Sequence, residues 1–93
     1  MGISESDYSE IKEIARRHGA SHLRLFGSRA KGVATSDSDL DLLVDLAPGR
    51  DLFDLIEMKQ ELEAATGLSV DLVTEKSLSK YLRARIIEEA RPI

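Results

Sequence analysis

Residues 25–44 read LFGSRAKGVATSDSDLDLLV, and their reading decides the fold. Leu40 to Leu46 (LDLLVDL) alternates enough to be a strand and is apolar enough to lie centrally in a sheet. Upstream, His22 to Phe26 is short, alternating and stopped by Gly27, so it reads as a first strand. The interval Gly27–Asp39 is rich in Gly, Ser, Asp and Thr and reads mostly as loop. That loop leaves little room for a crossover helix, so the two strands are expected antiparallel.

Outward from this core, the remaining elements follow from periodicity. Tyr8, Ile11, Ile14 and Ala15 share a helical face, with Ser4 or Ser6 as N-cap and Gly19 as terminator. Leu52, Leu55, Ile56, Lys59, Leu62 and Glu63 trace a second helix, capped by Asp51 and ended by Gly67. Leu68–Thr74 reads as a third strand, which makes a parallel strand–helix–strand unit with Leu40–Leu46. A last helix carries Leu78, Tyr81, Leu82, Arg85 and Ile86, capped by Ser77, with Tyr81 read as core and Pro92 just past its end. The predicted class is α+β: a small mixed sheet of three to four strands with helices mainly on one face. Residues 1–93 are read as a single domain.

Composition excludes several functions. The chain is 42% apolar and 32% charged, with 2 Pro and 6 Gly, which argues against disorder. It has no Cys, so thiolate metal sites, disulfides and cysteine nucleophiles are excluded. Aromatics are 4% with no Trp, too few for base-stacking platforms. The net charge of −4 disfavours nonspecific binding to nucleic acid. The expected setting is cytoplasmic, with no membrane span and no signal peptide.

The charge is unevenly placed. Residues 1–32 sum to +2, residues 33–75 to −9 and residues 76–93 to +3. The ordinary reading of such an acidic stretch is a solvated face. Three of its carboxylates suggest more. Asp39 and Asp41 are two apart where the second strand begins, so both are expected on one face, with Leu40 and Leu42 on the other. Their spacing of about 7 Å along a strand suits hard divalent cations that bring substrate phosphates. Asp71 sits between Val70 and Leu72 and would complete a triad if its strand lies alongside. Three carboxylates around Mg²⁺ serve in-line phosphoryl or nucleotidyl transfer.

Gly27 and Ser28 supply the other half: a backbone that phosphate can approach closely, and a hydroxyl where a short helical turn could present N–H groups. Arg29 and Lys31 are read evenly as phosphate ligands or as loop solubilisers. A calcium loop starting at Asp37 is excluded, because its Gly position is Leu42 and its Glu position is Pro48. No Walker-type phosphate loop occurs. His18 and His22 read as surface residues, and Arg83 and Arg85 as a solvated helical face.

Gly-Ser-x10-Asp-x-Asp, with the longer run from Leu25 to Val44 and then Val70-Asp-Leu-Val73, resembles the minimal nucleotidyltransferases (MNT) of the DNA polymerase β-like superfamily. The resemblance extends to the terminal helix ending at Ala90. It implies that Asp39, Asp41 and Asp71 hold the metals, with Asp71 the third carboxylate, and that Gly27 and Ser28 hold the triphosphate. Asp37 has no place in the implied triad. The resemblance further implies Mg²⁺, ATP as substrate, and AMP transfer to a tyrosine hydroxyl of a HEPN-type toxin that the protein silences as an antitoxin. The chain's length fits an acceptor carried on another protein. Other readings remain at this point: a noncatalytic module that neutralises a partner by binding, or a nucleotidyltransferase for small molecules. Homodimer and hetero-oligomer also stay open.

Overall fold

A computed structural model describes residues 5–35 and 38–93. Its elements are α1 (Glu5–Arg17), β1 (Ala20–Phe26), α2 (Ser28–Lys31), β2 (Leu40–Leu46), α3 (Leu52–Thr66), β3 (Val70–Val73), a 3-10 turn (Glu75–Ser77), α4 (Lys80–Glu89) and β4 (Arg91–Pro92). The sheet order is β3-β2-β1-β4. β2 runs antiparallel to β1 and parallel to β3, as the loop lengths predict.

Local chemistry explains the boundaries. α1 carries Glu5 and Asp7 in its first turn and Arg16 and Arg17 in its last, matching the helix dipole. It buries Ile11, Ile14 and Ala15, the predicted face. Ser6 lies inside α1, so it is not the cap; Ser4 falls outside the described residues. α3 starts in a capping box, with Asp51 accepting from Phe53 N–H and Asp54 from Asp51 N–H. It ends at Gly67, whose left-handed φ of 73° lets its N–H reach the Glu63 carbonyl at 2.9 Å.

The core lies between the sheet and the α1–α3 pair. Leu40, Leu42 and Val44 alternate down β2 and are fully buried against Ile11, Ile14, Met58 and Leu62. The odd-numbered β2 residues therefore face the other way. On that face Leu43, level with Arg24 and Val73, is also fully buried. β2 is thus covered on both sides at its centre, which accounts for its nearly unbroken apolar run.

Two expectations need correction. α4 starts at Lys80 with Ser79 as its cap, not Ser77. Ser77 instead pairs reciprocally with Thr74 to close the 3-10 turn, so the backbone there is already committed. Tyr81 is 88% exposed and is not core. α1 and α3 already close the apolar face, and no α4 residue is buried. The residues after α4 form the fourth strand, within the three to four expected, with Arg91 level with Leu25 and Pro92 level with Arg24. Pro92 is tolerated because β4 is an edge strand.

Candidate active site

The site forms where β1 ends beside β2 and β3. Phe26, Asp41 and Asp71 stand level across the three strands. Residues level in a sheet project to one face, so Asp41 and Asp71 lie side by side on strands about 4.8 Å apart. Asp39 lies just before β2 rather than in it. The chain is anchored at the next residue, where Leu40 N–H donates to Ser69 O at 2.8 Å. The parallel β2–β3 pairing therefore sets Asp41 beside Asp71, and both Asp71 and Asp39 act electrostatically on Asp41.

Gly27 follows β1 directly and adjoins Asp41. Its φ of 73° and ψ of −152° suit only glycine, and a Cβ there would collide with Asp41 Oδ2. Ser28 begins α2, a single turn closed by Lys31 N–H to Gly27 O at 3.2 Å. The sequence allowed for such a turn inside what it otherwise read as loop. Gly27 and Asp41 thus meet in space, although the whole connection between β1 and β2 separates them in the chain.

Electrostatics single out Asp41. Burial, then the carboxylates of Asp71 and Asp39, hold its carboxyl above the usual carboxylate range, while Arg29 pulls the other way. The fold therefore favours the neutral form of Asp41. That contribution is complete below the ordinary Asp range and is lost as pH rises through the raised value. Asp41→Asn is accordingly expected to melt at a higher temperature than wild type at neutral pH in divalent-free buffer. The difference should vanish in acid, and melting curves across that interval check it.

Mg²⁺ fits the donor set, which is all carboxylate oxygen. Among the described residues, no three His, Cys, Asp or Glu side chains form a ready-made metal cage. The glycine at position 27 leaves Asp41 the space that a side chain would fill.

Other predicted residues are placed differently. The Arg29 guanidinium donates to Ser38 O at 2.8 Å and Thr35 O at 3.5 Å. Lys31 Nζ lies 3.5 Å from Glu89 Oε1 on α4. His18 is largely buried and pairs with Glu61 at 2.9 Å, so it is not a free surface group. His22, at φ 51° beside a bulge in β1, contacts Asp45, which also receives the buried Arg24. Arg83 folds back onto the carbonyls of Glu75 and Leu78. Asp37 lies outside the described residues. Arg24 was missed by sequence reasoning, since an Arg inside a strand carries no signal of the acid it will meet.

Residues 9–93 match the family model of the nucleotidyltransferase domain. The chain belongs to that family. The protein adenylyltransferase MntA of Thermococcus cleftensis is 40% identical over 84% of this nucleotidyltransferase and 79% of its own length. A solved structure assigned as a minimal nucleotidyltransferase is 42% identical, with a TM-score of 0.84, covering 95% of this chain and 90% of that one. A solved toxin–antitoxin complex with AMP-PNP is 28% identical, with a TM-score of 0.78, over 90% of this chain and 69% of that one. The nucleotidyltransferase thus shares its fold with both solved structures. Among the described residues, no helix is long and apolar enough to cross a membrane.

Proposed function

We propose that residues 1–93 form one minimal nucleotidyltransferase domain that moves AMP from ATP to a hydroxyl of a partner protein and acts as the antitoxin of a HEPN-type toxin in the cytoplasm. The observation that carries this reading is the level placement of Asp41 and Asp71 beside Gly27, with Asp39 at the mouth of β2. The adenylyltransferase name of the Thermococcus relative supports a protein acceptor. The toxin–antitoxin complex with AMP-PNP supports an adenine nucleotide and a toxin partner.

In this reading Asp39 and Asp41 hold Mg²⁺, with Asp71 as the third carboxylate. The metal supplies charge neutralisation along the triphosphate. Gly27 lets the backbone approach the phosphates, and Ser28 donates its hydroxyl to them. Lys31, paired with Glu89 on α4, would add positive charge to the phosphates only by leaving that carboxylate. Asp71, exposed at the edge of the triad, orients the acceptor hydroxyl and takes its proton on the carboxylate. The acceptor oxygen then bonds to the α-phosphorus as the bond to pyrophosphate breaks, giving a phosphodiester and pyrophosphate. The tyrosine acceptor comes from the family resemblance.

The test is transfer of label from α-labelled ATP to the cognate toxin, with the toxin's activity followed alongside. Label on the toxin that requires Mg²⁺ and silences it is the expected result. Silencing without label would make the chain a binding module. Label on a small acceptor instead would overturn the protein-acceptor reading.

A further inference from the structure

Arg29 sits in the Gly-Ser-Arg run, where a phosphate ligand would be expected, yet its Nη2 is turned to main-chain carbonyls and its Nε is buried. Nη2 bonds Ser38 O at 2.8 Å and reaches Thr35 O at 3.5 Å. Nε is buried and has no partner among the described residues, so a triphosphate arriving from solvent does not meet it. The residues of the two carbonyls, Thr35 and Ser38, are also bonded to each other. Ser38 N–H donates to Thr35 O at 3.1 Å, and Thr35 N–H donates to Ser38 Oγ at 2.8 Å. Asp39 follows immediately. Its next neighbour, Leu40, is anchored to Ser69 O at 2.8 Å. The Asp39 backbone is therefore pinned on both sides, by Arg29 through Ser38 and by the residue before β3 through Leu40.

We propose that Arg29 is a positioning residue that ties the Gly27-Ser28 turn to the Asp39 backbone and so sets the Asp39 carboxylate for its cation. This rests on the metal-dependent transfer reading above. A planar guanidinium can serve two carbonyls at once, whereas an ammonium is a point charge on a flexible stem. Groups that orient metal ligands from behind matter for affinity, and losing one typically costs about 10–100-fold.

The experiment titrates Mn²⁺ alone into wild type, Arg29→Ala and Arg29→Lys, followed by water-proton relaxation. ATP binding in metal-free buffer is measured in parallel, with thermal melts to confirm folding. Mn²⁺ affinity should fall by about 10–100-fold in Arg29→Ala, while metal-free ATP affinity stays within about twofold. Arg29→Lys keeps the charge but should recover only part of the loss. If Arg29→Ala fails to fold, Arg29→Lys carries the same comparison. Full recovery by Lys would mean that charge alone acts, and it would overturn the proposal. So would an equal or larger loss of metal-free ATP affinity, which would make Arg29 a phosphate ligand. Unchanged Mn²⁺ affinity in the variants overturns the positioning role alone. No saturable Mn²⁺ binding by wild type overturns the metal-dependent reading and this inference with it.

Discussion

Asp39→Asn is expected to lower label transfer by about 10³-fold or more. A bound metal contributes several kcal/mol of charge stabilisation in the transition state, and each 1.36 kcal/mol is worth about tenfold in rate. The amide keeps the size of the side chain and removes its negative charge, so the backbone anchors at Ser38 and Leu40 should persist. Fold stability should therefore change little while turnover collapses. Asp37→Asn, outside the implied triad, is the matched control and should retain activity. Rates measured at saturating Mg²⁺ and ATP, beside a thermal melt, check the pair. Near-wild-type transfer by a folded Asp39→Asn would remove Asp39 from the metal site.

Much of this architecture was legible because its signals are local. β2 is bounded by Leu40 and Leu46, as its apolar run predicts. Asp51 and Gly67 punctuate α3 because a cap and a left-handed stop each need particular residue types. Asp41 and Asp71 could be placed side by side once a parallel crossover was inferred, since alternation then fixes which face each takes. What escaped depends on partners that have no residue signature. Arg29 bonds main-chain carbonyls, and every residue carries one of those. Tyr81 has apolar neighbours at helical spacing, yet spacing does not reveal that α1 and α3 have already closed the core. Two residues suffice for β4, too few for any period to register.

Gly27→Ala should damage both stability and turnover, and a second glycine separates the two causes. Gly27 and Gly32 share a positive φ, 73° and 74°, but Gly27 at ψ −152° lies in the nearly glycine-only region and Gly32 at ψ 17° in the left-handed helical one. A side chain in either region costs on the order of 1–3 kcal/mol, more at Gly27, and each kcal/mol lowers the melting temperature of a chain this size by roughly 4–8 °C. Both alanine variants should therefore melt lower than wild type. Their surroundings differ. A Cβ at Gly32 meets nothing within 4 Å, whereas one at Gly27 collides with Asp41 Oδ2. Asp41 cannot turn freely away, because its strand is paired on both sides and its carboxyl is partly buried. A displacement of about 1 Å at such a group costs about 10²-fold in rate. Gly27→Ala should thus lose about 10²-fold in transfer at a temperature where both variants are folded, while Gly32→Ala stays close to wild type. Equal activity in the two would mean that Gly27 serves only the bend out of β1. Loss confined to Gly27→Ala ties the glycine to the carboxylate it faces.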